Sequence, residues 1–521
     1  MTRPWWHEGV IYQIYPRSFQ DSNGDGIGDL PGIESRLDDL VALGVDAIWI
    51  SPIFPSPMAD FGYDVADYTG IDPRFGTMAE FDRLLAAAHS RGLKLLLDFV
   101  PNHSSDQHPW FQESRSSQDN PKRDWYLWRD PAPDGGVPNN WMSHFGGPAW
   151  TFDEATGQYY YHAFLKEQPD LNWRNPDCRR AMLEAMRFWF DKGVDGFRID
   201  VLWLVIKDPA FRDNPPNPDW RPGMRDLERV IDRHAGDQPG VLDVVQDMRA
   251  EADRARGLLI GEIYLPIDRL MAYYGPHNSG VQLPFNFLLL ETPWDASAVR
   301  EAIQKYEAAL PPGGWPNWVL GNHDKPRVAA RVGAAQARVA AMLLLTLRGT
   351  PTLYQGDELG LAGAPVPDDR IRDPQKLREP TAYNRDESRL PMPWDASAQG
   401  GFTSGEPWLP LQPDFSECNV AAQRDVPGSM WTLTRDLLAL RRAHDCLTLG
   451  SIELVATADD VIAYVREQDG ERLFVALNLS GGERPLHAPE WARRVLISTL
   501  DAPGGVPDRL RADEGVVLAA D

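Results

Sequence analysis

The chain has 521 residues, 43% of them hydrophobic, and carries a formal net charge of −24 with a pI of about 4.9. That length predicts about three domains with room for a large core, while the acidity and the lack of any Lys/Arg tract exclude nucleic acid and an anionic membrane surface as partners. Three scattered cysteines, Cys178, Cys418 and Cys446, make neither a disulfide framework nor a metal cluster and predict a reducing, cytoplasmic location.

Residues 1–8 lack the apolar core of a signal peptide. The longest apolar run, 340–347, ends at Arg348, far short of the ~18 residues of a membrane span. Short aliphatic runs at 10–15 and 47–51 predict two strands, with a helix at 33–43 between them that Gly44 closes. A helix at 78–89 leads into a third strand at 93–100. From 104 to 170 the alternation breaks into a Pro-, Gly-, Asn- and Trp-rich stretch whose clearest strand is 159–164; it predicts a subdomain inserted after strand 3. A helix at 178–192, stopped by Gly193, leads to a fourth strand ending at Asp200, and runs at 258–262, 281–287, 318–322 and 350–353 complete a set of eight. A second irregular stretch, 357–426, precedes a helix at 430–444. The segments 461–466, 473–479 and 494–500 then predict a small all-β domain. The expected fold is α/β, a (β/α)8 TIM barrel built from 1–103 and 171–447, with the inserted subdomain at 104–170 and the C-terminal β-domain at 448–521.

Four carboxylates, Asp98, Asp200, Glu262 and Asp324, end or follow four of the apolar runs. In a closed parallel barrel the carboxyl ends of the strands share one rim, so these acids converge. Any one alone reads more simply as a strand-end cap; four together read as an active site. Two carboxyl groups about 5–5.5 Å apart can cleave a glycosidic bond through a covalent sugar intermediate. Asp200 suits the nucleophile because Arg198, two positions earlier on the same strand face, would hold it ionised. Glu262 suits the acid/base, with nearby negative charge raising its pKa, and Asp324 suits a third role gripping sugar hydroxyls. His103 and His323 suit hydroxyl donors. Aromatic residues in the inserted stretch are candidates for stacking on sugar faces, and Phe145 and Phe164 are the expected substrate contacts among them.

The motifs Asp98-Phe99-Val100-Pro101-Asn102-His103, Gly196-Phe197-Arg198-Ile199-Asp200, Gly261-Glu262 and Asn322-His323-Asp324 resemble the α-amylase family of glycoside hydrolases (family 13), and within it the exo-acting α-glucosidases and oligo-1,6-glucosidases. The opening at 10–19, the loop Phe61-Gly62-Tyr63-Asp64-Val65 and the segment 168–173 also resemble that group, so the likeness runs along the whole chain. The resemblance implies a retaining double displacement with Asp200 as nucleophile, Glu262 as acid/base and Asp324 as stabiliser. It also implies that Asp60 and Arg389 grip the terminal glucose, that Tyr63 stacks on it, and that Asp98, His103, Arg198 and His323 complete the pocket. The approach to Arg389 departs from the family pattern, reading Leu390-Pro391-Met392-Pro393-Trp394. Val201, after the nucleophile, goes with α-1,6 linkages in resembling enzymes, which makes isomaltose-type substrates expected beside α-1,4, trehalose or sucrose. The expected partners are small oligosaccharides or disaccharides containing α-glucose, and the chain is expected to be a monomer or a small homo-oligomer. The alternative within the family is a trehalose-forming maltose isomerase or a transglucosylase.

Oxygen-bearing residues alternate with glycine in Asp21-Ser22-Asn23-Gly24-Asp25-Gly26-Ile27-Gly28-Asp29, a pattern that wraps hard cations. It lacks the closing Glu of an EF-hand, and a solvated Gly/Asp turn is the plainer reading. Resembling α-glucosidases hold a structural divalent ion there, which implies calcium, with magnesium as the alternative, on Asp21, Asn23, Asp25, the carbonyl of Ile27, and Asp29.

Overall fold

The computed structural model describes residues 3–501 and 505–520; residues 1–2, 502–504 and 521, at the outer edges of the expected first and last domains, lie outside the described residues. Eight parallel strands close into a barrel: β1 (Ile11–Ile14), β2 (Ala47–Ile50), β3 (Lys94–Phe99) and then, after three intervening strands, β7 (Gly196–Ile199), β8 (Leu258–Glu262), β9 (Leu283–Asn286), β10 (Asn317–Val319) and β11 (Thr350–Tyr354), which pairs back onto β1. Between β3 and β7 lies a three-stranded antiparallel sheet of β4 (Trp128–Arg129), β5 (Trp150–Asp153) and β6 (Gln158–Tyr161), with β6 in the middle. The chain ends in a second antiparallel unit. There β12 (Ser451–Val455), β13 (Val461–Gln468), β14 (Glu471–Asn478), β16 (Arg494–Ser498) and β18 (Gly515–Ala519) form a five-stranded sheet, and β15 (Arg484–Pro485) pairs with β17 (Arg509–Leu510).

The alternation of side chains along a strand sorts the barrel into two cores. Ile11, Trp49, Leu96, Leu258, Ile260 and Phe285 fill the interior, while Tyr12, Ile48, Leu95, Leu97 and Phe197 face the surrounding helices. The helix before β7 spans Pro176–Lys192. It begins two residues ahead of the expected start because the Asn175 side chain accepts from the N–H groups of Asp177 and Cys178, with Pro176 in the first turn; Gly193, at φ 102°, ends it. The single helix expected at 33–43 is two, Leu30–Ser35 and Leu37–Leu43. Asp29 caps the first by accepting from the Gly32 N–H, and the break falls at Arg36, whose Nε donates to Gln20 Oε1 at 2.7 Å while its guanidinium lies over Trp394. The strand expected at 318–322 stops at Val319, so Asp324 stands on the following loop, beyond any strand end.

The C-terminal unit is fastened to the barrel at the end of the buried helix Ala334–Thr346, whose last carbonyls have no partner within the helix. Arg441 donates to the carbonyls of Leu345, Leu347 and Gly349 at 3.0, 3.1 and 2.5 Å. Arg466, on β13, donates to Thr346 O at 2.5 Å and Gly450 O at 3.0 Å. Replacing Arg441 by Ala strips donors from three buried carbonyls and is expected to cost about 2–4 kcal/mol. Calorimetry should record a lowered thermal midpoint, while Arg435→Ala, on the exposed side of the helix Met430–Ala443 that carries Arg441, should leave it nearly unmoved.

Candidate active site

Strand parity brings the polar groups to one rim. Asp98 follows Leu96 on the inward face of β3, Arg198 is its direct partner on β7, and Ile260 is the partner of Arg198 on β8, with Glu262 two residues beyond. One buried guanidinium therefore meets three carboxylates. Arg198 Nη1 donates to Asp98 Oδ1 at 2.9 Å and to Asp200 Oδ1 at 2.7 Å, and Nη2 lies 2.7 Å from Glu262 Oε2. The Val201 N–H also donates to Glu262 Oε2, at 2.8 Å, from a left-handed backbone with φ 35° and ψ 46° that a β-branched residue rarely adopts. Asp98 is enclosed further by Trp49 Nε1 and Tyr63 Oη, which donate to its Oδ2 at 3.2 and 3.1 Å.

Asp324 is held from the opposite side. Arg389 Nη2 lies 2.8 Å and Arg385 Nη1 3.4 Å from its Oδ1, and His323 Nε2 stands 3.2 Å from its Oδ2. His323 stacks between Tyr15 and Tyr63. Gln13 Nε2 at 2.7 Å occupies its Nδ1, which leaves the imidazole proton on Nε2, towards Tyr63 Oη at 2.8 Å. Asp60 stands on the loop after β2, which buried Asp64 shapes by accepting from Ser56 Oγ and from the N–H groups of Ala59 and Asp60.

The expected grip of Asp60 with Arg389 takes a different form. Arg385 is the partner of Asp60, Nη2 to Oδ1 at 2.9 Å; it also bonds Asp373 and lies over the Phe145 ring at 4.8 Å. Arg389 instead lies beneath the cavity, bonded to Asp324 and to the carbonyl of His323. The reason is spacing: both arginines flank the short turn Arg385–Ser388, which sends them to different depths.

Electrostatics separate the acids. Burial pushes the Asp98 carboxyl up to about 7 despite Arg198, and it pushes Asp200 well above the usual carboxylate range. Arg198, expected to hold Asp200 ionised, does pull its carboxyl down, while burial and the charges of Glu262 and Asp98 push it up. Burial acts against charge at Asp324 too, but there the surrounding positive groups win and hold its carboxyl far below the usual range. Burial drives His323 down to about 3, so at neutral pH the arginines Arg389 and Arg385 supply that attraction. His103 is likewise driven down to about 4.

These groups surround a cavity of about 410 Å³. Asp60, Tyr63, His103, Phe145, Phe164 and Val201 line it together with Asp200, Glu262 and Asp324. Asp98, Arg198, His323 and Arg389, expected in the pocket wall, form the layer beneath it. Sequence reasoning missed Arg385, His144, Tyr264 and Lys325 on the wall. Arg385 carried a signal in Asn384-Arg385-Asp386, a polar cluster close to Arg389; the others stand in loops without a pattern.

The Asp21–Asp29 loop is ordered by its own N–H groups. Asp21 accepts from Asn23, Gly24 and Gly26, Asn23 from Asp25, Asp25 from Ile27, and Asp29 from Ser22 and Gly32. The oxygen-rich donor set suits a hard cation, but among the described residues no three His, Cys, Asp or Glu side chains gather as a metal cluster.

Residues 13–450 match the model of the alpha-amylase catalytic domain. The oligo-1,6-glucosidase of Parageobacillus thermoglucosidasius is 39% identical over 96% of both chains, and a probable alpha-glucosidase of Rhizobium meliloti is 42% identical over 92% of this chain and 90% of its own. The solved structure of the alpha-glucosyl transfer enzyme XgtA superposes with a TM-score of 0.95 at 41% identity over 100% of both chains. With the family's catalytic domain matched from the first barrel strand to the end of the barrel, the chain belongs to the alpha-amylase family.

Proposed function

We propose that the protein is a retaining exo-acting α-glucosidase that releases the terminal non-reducing glucose of short oligosaccharides joined by α-1,6 or α-1,4 bonds, trehalose and sucrose being further candidates. The observation that carries this reading is the pairing of Asp200 and Glu262 on the two terminal nitrogens of one guanidinium, beside a cavity that the Asp60–Arg385 ion pair also lines. A shared guanidinium keeps two carboxyl groups close, as attack by one of them on the sugar requires. In this reading that ion pair closes one end, which admits a chain terminus rather than a chain interior.

In the proposed reaction an Asp200 oxygen attacks the anomeric carbon as the glycosidic bond breaks, and Glu262 gives its proton to the departing oxygen. Glu262 then takes a proton from water, whose oxygen displaces Asp200. Asp324, kept ionised by Arg389 and Arg385, accepts hydrogen bonds from sugar hydroxyls. Transfer follows the same steps with a sugar hydroxyl in place of water; the similarity to an alpha-glucosyl transfer enzyme supports retaining an isomerase or transglucosylase as the second reading. The protein works in the cytoplasm in this reading, as a monomer or small homo-oligomer; its three unpaired cysteines support a reducing location, and among the described residues no helix is long and apolar enough to cross a membrane.

Separate incubations with maltose, isomaltose, trehalose and sucrose should release glucose, fastest from isomaltose if Val201 sets the linkage, and Asp200→Asn should lower kcat at least about 10³-fold. A new disaccharide in place of glucose would establish transfer instead. Because burial keeps His103 uncharged above about pH 4, the acid limb of kcat/KM belongs to carboxylates. His103→Gln should therefore cut kcat/KM about tenfold through a lost hydrogen bond while leaving that limb in place, and a moved limb would reassign it to the imidazole. We also propose that the Asp21–Asp29 loop takes a structural calcium, or magnesium. Its ligands would be Asp21, Asn23, Asp25, the Ile27 carbonyl and Asp29, and the ion would serve stability alone. Chelation should lower the thermal midpoint and added calcium restore it; an unchanged midpoint in metal-free protein rejects the ion.

A further inference from the structure

Lys207 is the one buried lysine among the described residues, and its ammonium touches none of the acids that line the cavity. It stands on the loop after β7, seven positions beyond the nucleophile, with its backbone carbonyl held by Arg174. Its Nζ donates to Asn102 Oδ1 at 2.6 Å and pairs with Asp170 Oδ2. Asn102 follows β3, and Asp170 closes the inserted segment, so three separate loops meet on this one cation. The Asn102 amide is thereby constrained at both ends. A lysine only donates, so the atom facing it is the amide oxygen. The nitrogen turns the other way, 2.8 Å from Asp170 Oδ2 and 3.1 Å from His103 Nδ1. Only a donor faces Nδ1, which makes that nitrogen an acceptor and leaves the imidazole proton on Nε2, directed to the Tyr63 carbonyl at 3.1 Å, with the Gln168 amide nitrogen also 3.1 Å from Nε2. Tyr63, Gln168 and His103 all line the cavity.

We propose that Lys207 is a positioning residue: clamped between Asn102 and Asp170, it fixes the Asn102 amide and so holds the His103 proton on the cavity-wall nitrogen. Lys207 acts through two neighbours and touches no sugar. The charges facing His103 are Asp170 and Lys207, with Asp60 beyond Gln168. Asp170 favours a charged imidazole, while burial and Lys207 work against it. The consequence for the proposed reaction, on whose reading this point rests, is a neutral hydrogen-bond donor that persists across the working pH range.

The test is nitrogen NMR of protein labelled in its histidine rings, with the His103 signals identified by their loss in His103→Gln. The wild type should show Nδ1 unprotonated and Nε2 protonated. Lys207→Met should raise the His103 titration above that of the wild type while burial still holds it below its ordinary range, whereas Lys207→Arg should keep the wild-type pattern. The pair Lys207→Met with Asp170→Asn buries no lone charge, so it remains a test if the single variant does not fold. There the His103 proton should distribute over both nitrogens and kcat/KM should fall about tenfold, chiefly through KM. If the double variant keeps the proton on Nε2, the proposal is wrong. The spectra require no turnover, so a failure of the glucosidase reading would leave this result legible on its own.

Discussion

The site depends on one guanidinium. Arg198 is placed by strand register opposite Asp98, and its two terminal nitrogens reach Asp200 and Glu262. A buried arginine is tolerable only because carboxylates surround it, and buried carboxylates only because the arginine lies among them. Removing any member leaves uncompensated charge in a barrel interior otherwise filled by Trp49, Leu96, Ile260 and Phe285. This mutual dependence fixes the geometry before any sugar arrives, which is the preorganisation that displacement at an anomeric carbon requires.

A second layer carries the opposite assignment. Asp324, off the strands, is set among Arg389, Arg385 and an uncharged His323, and its carboxyl is held down where burial pushes those of Asp98 and Asp200 up. The difference is stoichiometric: three acids to one arginine in one place, one acid to two arginines in the other. The same chemical group is thus pushed up on one wall and held down on the other.

Much of this was legible in the chain. The eight aliphatic runs appear as the barrel strands, because period and length leave little choice for a buried parallel strand. The acids Asp98, Asp200 and Glu262 could be placed because they share strand parity with their neighbours. Asp324 was found by motif, not by parity, since its strand ends at Val319. The partner of Asp60 was missed because Arg385 and Arg389 stand on a turn, where spacing alone does not determine which side chain points into the cavity. The split at Arg36 was hidden as well, since the contact that breaks the helix comes from Gln20 and Trp394, distant in sequence. Local pattern reveals elements; it does not reveal which loops lie against one another.

Val201 joins the cavity wall to backbone conformation. Its left-handed φ of 35° costs a β-branched residue about 1–3 kcal/mol, and the same conformation aims its N–H at Glu262. Variation at this position is therefore never a change of side chain alone. A glycine would relieve the backbone and loosen the hydrogen bond's direction, while a bulkier branched residue would keep the direction and deepen the strain. The shape of this wall is thus bound to the orientation of Glu262, so a change in one carries a cost in folding stability that the rest of the barrel must absorb.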